Sequence, residues 1–180
     1  MMTTESPSTL TLHLASQEET LAIGRQLGAT LSPGQVIALS GDLGAGKTTL
    51  TQGIAEGMGI AARVTSPTFT LINQYNPGER RLLLVHIDIY RLGDSSSSAQ
   101  AEAANLGLDE ILADASFADS HSDGAIVVIE WAERVSDLLP DNTLYIHLFP
   151  VNDDPNARIA TLMTADAEVA ALLPSSGVES

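Results

Sequence analysis

The chain has 180 residues, enough for one domain with a full hydrophobic core and too few for two domains of ordinary size. Aspartate and glutamate outnumber lysine and arginine by 23 to 8, and the net charge of −15 argues against an extensive direct interface with nucleic acid. No cysteine is available for a disulfide framework, and no run of about 18 apolar residues could span a bilayer. The first residues lack the basic head and apolar stretch of a secretory leader, so we expect a cytoplasmic protein without membrane contact.

The first segments predict a strand followed by a helix. Residues 9–14 alternate between polar and apolar side chains, as in a strand with one buried face. Residues 16–31 place apolar side chains at helical spacing, and Ser16 with Glu19 three positions later is the signature of a capping box.

A buried strand, a glycine-rich loop and a second helix come next. Residues 36–40 are a continuous apolar run, typical of a strand buried on both faces, and the run stops at Gly41. From Lys47 the sequence returns to helical spacing, and Gly57 and Gly59 are expected to end this helix.

The middle of the chain predicts a hairpin and a linker. Residues 69–75 and 81–90 resemble strands and flank a turn-forming Asn-Pro-Gly-Glu-Arg sequence. Residues 93–105 are rich in serine and alanine, so we expect a mobile surface loop there. Residues 106–114 are expected to form a short helix.

The remaining segments complete an α/β pattern. Further strands are expected at residues 125–131, 143–150 and 157–163, and a short helix that frays is expected within 165–180. Apolar strands separated by helical segments indicate a sheet covered by helices on both faces. We therefore predict a single α/β domain over residues 1–180 with a mixed, mainly parallel sheet, a core at 8–164 and a disordered tail at 174–180.

Residues 41–48, GDLGAGKT, match the G-x-x-x-x-G-K-[ST] motif of a phosphate-binding P-loop, directly after a predicted strand and at the start of a predicted helix. Its glycines allow successive backbone amides to converge on phosphate oxygens. Lys47, the only lysine of the chain, is expected to reach the β- and γ-phosphates, and the Thr48 hydroxyl is expected to coordinate Mg²⁺. The fold is thus expected to be a three-layer P-loop NTPase, whose nucleotide-binding residues are Gly41, Asp42, Leu43, Gly44, Ala45, Gly46, Lys47, Thr48 and Thr49.

The expected nucleotide is ATP, accompanied by Mg²⁺. Common GTPases recognise guanine through an Asn-Lys-x-Asp motif. Because Lys47 already belongs to the P-loop, the chain has no second lysine for that motif.

Two carboxylates, Asp88 and Glu130, each follow an apolar run. In folds of this type ligands lie at the carboxyl ends of the strands, so either carboxylate is a candidate for the metal, and spacing alone does not choose between them. Thr68, within the sequence TSPTF, could offer a hydroxyl to metal or phosphate, although a plain polar turn fits equally well. Trp131 fits either core packing or contact with a ligand.

The isolated histidines His13, His121 and His147 have no metal-ligand spacing, and we assign them no role. His86 differs from them because it lies two residues before Asp88, and strand alternation places His86, Asp88 and Tyr90 on one face of the sheet.

Five motifs in this order and spacing resemble the TsaE family, the bacterial ATPases of tRNA threonylcarbamoyladenosine biosynthesis: GDLGAGKTTLTQGIAEGMGI, VTSPTFTLINQY, HIDIYRL, LGLDEIL and VIEWAERV. The resemblance covers Ser16 to Pro140. It implies a small ATPase that works with the TsaD–TsaB pair, the partners that transfer the threonylcarbamoyl group to A37 of ANN-decoding tRNAs. It also implies that this chain reaches tRNA only through those partners.

Carried over by position, the resemblance assigns the nucleotide loop to residues 41–48 and the Mg²⁺ ligands to Thr48 and Glu130. A switch-like segment falls on residues 66–68, and Asp88 would position the attacking water or the water shell of the metal. The linker before residue 110 is longer than the usual connection in the family. The expected catalytic set is Lys47, Thr68, Asp88 and Glu130.

Two other functions remain open at this point. A small-molecule kinase would need a lid that brings arginines over the phosphates, yet no basic residue lies between Gly93 and Asp123. A nucleotide-dependent binding module would use the P-loop only to order the switch segment, without meaningful turnover.

Overall fold

A computed structural model describes residues 7–152 and 154–173. The strands are β1 (Ser8–Leu14), β2 (Val36–Ser40), β3 (Ile72–Tyr75), β4 (Leu83–Asp88), β5 (Ala125–Glu130), β6 (Leu144–Val151) and β7 (Asp154–Thr164). The helices are α1 (Gln17–Thr30), α2 (Lys47–Gly57), α3 (Ser96–Asn105), α4 (Leu108–Asp114) and α5 (Ala167–Ala171). Within these described ranges, no helix has both the length and the apolar character needed to cross a membrane.

The strands form one mixed sheet in the order β1-β7-β6-β2-β5-β4-β3. The four central strands, β6, β2, β5 and β4, are mutually parallel, whereas β1, β7 and β3 join the sheet by antiparallel pairing. This confirms the predicted mixed sheet with a mainly parallel centre. In the β4–β5 pair Asp88 lies opposite Glu130, so the two predicted carboxylates leave the sheet side by side.

The two faces of the sheet bury separate apolar clusters. On β2, Ile37 and Leu39 face the cluster that includes side chains of α1 and α2. Val36 and Ala38 face the cluster that includes side chains of α3 and α4. Helices therefore cover both faces, as expected for a three-layer α/β fold.

The prediction of a mobile loop at residues 93–105 is wrong, because most of this stretch forms α3. The Ser95 hydroxyl accepts a hydrogen bond from the amide of Ser98, and the Ser98 hydroxyl accepts one from the amide of Ser95. This reciprocal cap starts the helix, and Ala99 and Ala103 then bury their methyl groups in the core. The serines act as capping residues here.

The strand expected at residues 69–75 begins only at Ile72. Leu71 has a φ of 66°, and its amide donates to the carbonyl of Pro67 at 2.6 Å. That hydrogen-bonded turn takes residues 67–71 out of the strand. At the C-terminus, α5 is the short helix expected there, while the predicted tail at 174–180 lies outside the described residues.

Candidate functional site

The P-loop connects β2 to α2, and because it is rich in glycine it consists mostly of backbone atoms. Gly41, Gly44 and Gly46 have φ angles of 129°, 80° and 105°, in the left-handed region that favours glycine. A Cβ on Gly41 would also overlap the carbonyl oxygen of Leu148. No side chain of the described residues caps α2, so its first amides are available to an anion.

Lys47 is the first residue of α2 and is only 5% exposed. Its Nζ donates to the carbonyl oxygens of Gly41 at 2.6 Å and Asp42 at 3.0 Å, and lies 3.9 Å from the centroid of the Trp131 ring. Burial lowers the pKa of Lys47, and nearby carboxylates, chiefly that of Glu130, partly oppose this effect. The ammonium group is therefore held inside the site and is largely buried.

Glu130 joins the P-loop helix to the sheet. Its Oε1 accepts a hydrogen bond from Thr48 Oγ1 at 2.9 Å and lies 2.8 Å from Nε2 of His86. Glu130 is 3% exposed and His86 is fully buried. The residues that were predicted to share a metal, Thr48 and Glu130, are thus in direct contact.

Asp88 makes its contacts with the switch-like segment and with the end of β4. Its Oδ2 accepts from Thr68 Oγ1 at 2.6 Å and from Ser66 Oγ at 3.1 Å, while Oδ1 accepts from the amide of Tyr90 at 2.9 Å. Thr68 therefore contacts Asp88 and makes no hydrogen bond to Thr48 or Glu130. The two carboxylates are neighbours in the sheet but have different partners.

One cavity of about 430 Å³ brings most of the predicted residues together. Gly41 and Asp42 do not line it, and contribute the carbonyl oxygens that hold Lys47. The lining consists of residues 43–49 of the P-loop with Ser66, Thr68, Asp88, Tyr90, Glu130 and Trp131.

The side chains of this cavity that could bind a cation would do so through oxygen atoms. Within residues 7–152 and 154–173, no group of three or more histidines, aspartates or glutamates could hold a metal by itself. Thr48 and Glu130 offer a hydroxyl and a carboxylate, the oxygen ligands that Mg²⁺ accepts when phosphate oxygens and water complete its shell. These residues fit a magnesium–nucleotide complex.

Trp131 lines the cavity and also packs against one of the apolar clusters, so it combines core packing with a position in the site. Its ring lies over Lys47 and 4.9 Å from the ring of Tyr90, and its φ of 64° is unusual for a residue other than glycine. Its only sequence signal was its position directly after Glu130.

Two arginines next to the site make contacts that the sequence did not predict, because their partners are backbone carbonyls from distant segments. Arg158 on β7 donates to the carbonyl oxygens of Ala45 at 2.8 Å and Gly44 at 3.1 Å. Arg134, after β5, donates to carbonyl oxygens that follow β4: those of Ile89, Tyr90 and Gly93. A single sequence carries no spacing signal for such contacts.

The glycine loop lies between a strand and a helix that starts with lysine and threonine. Two carboxylates lie beside it, at the ends of parallel strands. These features together define a P-loop α/β protein. The chain belongs to the TsaE family, since the family model described as "Threonylcarbamoyl adenosine biosynthesis protein TsaE" matches residues 14–159. The predicted resemblance is thereby confirmed.

Individual relatives agree with the family match. The chain is 44% identical over 137 residues to the tRNA threonylcarbamoyladenosine biosynthesis protein TsaE of Bacillus subtilis, covering 76% of this chain and 75% of the relative. It is 38% identical over 163 residues to the protein of the same name from Nostoc, covering 90% of each. Its fold is similar to the crystal structure of Bacillus subtilis YdiB, with a TM-score of 0.71, 34% identity and 93% of each chain covered.

Proposed function

We propose that this chain hydrolyses ATP to ADP and phosphate as an accessory component of tRNA threonylcarbamoyladenosine biosynthesis. In this proposal it resets a TsaD–TsaB complex that modifies A37 of ANN-decoding tRNAs. The names of its relatives support the pathway. The observation that carries the activity is the shared cavity, where the P-loop, Lys47 and the Thr48–Glu130 pair meet.

The first task of the site is to bind a polyphosphate. The amides of the P-loop and the start of α2 supply donors with fixed directions, and the helix dipole favours negative charge at this end. Lys47 adds a cation whose burial strengthens its attraction for phosphate. Because the net charge of the chain is −15, its attraction for phosphate comes from this local arrangement and not from the overall charge.

Thr48 and Glu130 would hold the Mg²⁺ that accompanies the nucleotide. When bound, this ion neutralises charge on the phosphate oxygens. Glu130 contributes its carboxylate and Thr48 its hydroxyl, and their contact keeps both at the mouth of the P-loop.

Asp88 is the candidate for orienting the attacking water. It lines the cavity with Thr68 and Ser66, and its hydrogen bonds tie it to the segment that would sense the γ-phosphate. An Asp88 held in this way can accept a proton from water at a defined position.

A partner is expected to complete the site. Arg134 is already engaged with the backbone carbonyls that follow β4, and the Arg91 guanidinium lies 4.3 Å from the centre of the Phe69 ring. Turnover by the isolated chain should therefore be slow, and the TsaD–TsaB pair should raise it. The acidic surface is consistent with tRNA being bound by those partners.

The test measures release of free phosphate from ATP with TsaD–TsaB present. We expect Asp88→Asn to lower kcat by about a hundredfold or more, in the range of general acid–base contributions, with nearly unchanged ATP affinity. Glu130→Gln should raise the Mg²⁺ concentration needed for activity.

Asp114→Asn and Glu168→Gln, exposed on α4 and α5 and outside the family motifs, are the matched controls and should behave like wild type. Unchanged phosphate release in both site variants would contradict the proposed hydrolysis. Transfer of phosphate to a metabolite without release would support a kinase instead.

A further inference from the structure

His86 is a buried histidine whose side chain contacts one residue of the site, Glu130, through a single ring nitrogen. It is 0% exposed, and its Nε2 lies 2.8 Å from Oε1 of Glu130. Its other ring nitrogen, Nδ1, has no hydrogen-bond partner in the described part of the chain. The proposed hydrolysis assigns this residue no role.

An apolar side chain would suit this position better if packing were its only purpose. The neighbouring positions on the same face of β4 and β5 are occupied by Leu84 and Val128, both in the apolar core. Leaving a polar nitrogen buried without a partner is unfavourable. Among the described residues, the bond from Nε2 to Glu130 is the one polar contact of this side chain, and it is the reason to have a histidine here.

Two donors converge on one oxygen of Glu130. Oε1 receives Thr48 Oγ1 from α2 and His86 Nε2 from β4, so the carboxylate is held from both the helix and the sheet. No hydrogen bond within the described residues occupies Oε2, and Glu130 lines the cavity. The carboxylate plane is thereby fixed while one oxygen stays available.

We propose that His86 is a positioning residue that orients Glu130 toward the divalent cation of a bound nucleotide; this inference rests on the proposed function. A carboxylate can only accept a hydrogen bond, so in this contact Nε2 carries the hydrogen and donates it to Glu130. Supporting donors of this kind orient metal-binding side chains and affect metal affinity strongly.

The test measures Mn²⁺ binding by electron paramagnetic resonance in the presence of the non-hydrolysable analogue AMP-PNP. His86→Phe keeps an aromatic ring and removes the donor, and we expect Mn²⁺ affinity to fall by about ten- to a hundredfold. AMP-PNP affinity measured in EDTA should stay at the wild-type value. His86→Gln, whose amide can place an N–H where Nε2 lies, should keep Mn²⁺ affinity close to wild type.

His147→Phe is the matched control. His147 lies in the same sheet, where its Nδ1 is 2.8 Å from Ser40 Oγ and its ring stacks on Phe149, so the same exchange there should leave Mn²⁺ affinity unchanged. If His86→Phe does not fold, His86→Asn replaces it, because its shorter side chain does not reach Glu130. We then expect weak Mn²⁺ binding by His86→Asn beside normal binding by His86→Gln.

Equal Mn²⁺ affinity in wild type and all His86 variants, with AMP-PNP bound, would overturn this inference and leave the proposed function intact. Equal loss in His86→Gln and His86→Phe would also overturn it, since the donor would then not matter. Failure of the wild-type protein to bind AMP-PNP would contradict the proposed function and this inference together.

Discussion

The side chain of Lys47 is positively charged and almost completely buried. Only 5% of the residue is exposed, and its ammonium group is surrounded by two backbone carbonyls and the Trp131 ring. Desolvation lowers its pKa in the folded protein from the usual 10.5. Between the lowered pKa and 10.5, the unfolded chain binds more protons than the folded chain, so the stability contribution of Lys47 rises with pH in that window.

We therefore predict a pH-dependent difference between wild type and Lys47→Met. The unfolding free energy of wild type minus that of the variant should increase as pH rises toward 10.5, and should be flat at lower pH, where the lysine is charged in both states. Urea unfolding of both nucleotide-free proteins across this range measures it. A difference that stays constant or decreases would show that burial does not lower the pKa.

The predicted residues of the site have a clear common feature. Asp88 and Glu130 end strands, and Lys47 and Thr48 open a helix; local sequence patterns reveal such positions. His86, Trp131 and Arg158 act through contacts between segments far apart in sequence. Those contacts depend on strand order and register, which a single sequence does not contain.

At the scale of elements, α1 and α2 pack so closely that glycines form the contact. A Cβ on Gly28 would overlap the carbonyl oxygen of Ile54, and one on Gly53 would overlap that of Leu21. This contact fixes the position of α2 and hence of the P-loop at its start. The helices can approach in this way only where side chains are absent.

Gly28→Ala should therefore destabilise the protein, although alanine is the better helix former by about 1 kcal/mol. We expect a net loss of about 1–3 kcal/mol from overpacking, measured by urea unfolding. Gln26→Ala, exposed on the same helix, is the control and should change stability by less than about 0.5 kcal/mol. A stabilised Gly28→Ala protein would contradict the close helix contact.

The β7 strand supports the P-loop through Arg158. Its guanidinium donates to the carbonyls of Gly44 and Ala45 and so ties the loop to this strand. Arg158→Gln should weaken ATP binding roughly tenfold, since hydrogen bonds that involve a charged group contribute about 1.5–3 kcal/mol and tenfold corresponds to about 1.4 kcal/mol. Calorimetric titration measures this effect.

Arg25→Gln is the control for the Arg158 variant. Arg25 binds Glu18 and Glu56 on the surface, where such pairs contribute little, so ATP affinity should not change. Equal affinities of wild type and Arg158→Gln would show that the loop holds its shape without this arginine.

Strands and long helices could be predicted because hydrophobic periodicity determines them, as in β2 and α1. The segment that became α3 could not, because its serine composition is typical of linkers. Its helix begins with a local reciprocal cap between Ser95 and Ser98, in which a serine stands where a capping box usually has glutamate or glutamine. It also depends on burial of two alanines, which is a tertiary effect. The shortened β3 likewise depends on the left-handed turn at Leu71.

For the molecule as a whole, the net charge of −15 makes an extensive nucleic-acid interface unfavourable. In the proposed function the phosphates of ATP would meet a local set of amides and one lysine, whereas tRNA would need many basic contacts spread over a surface. We predict that the isolated chain does not bind tRNA at about 150 mM salt in filter-binding measurements. Salt-dependent binding in the micromolar range would contradict this prediction.

If the P-loop and Lys47 bind the phosphates of ATP, the wild-type chain and Lys47→Ala should differ in calorimetric titration with ATP and Mg²⁺. We expect saturable, one-to-one binding by wild type and no detectable binding by the variant. Equal affinity of the two proteins, or no binding by wild type even with TsaD–TsaB present, would contradict this expectation.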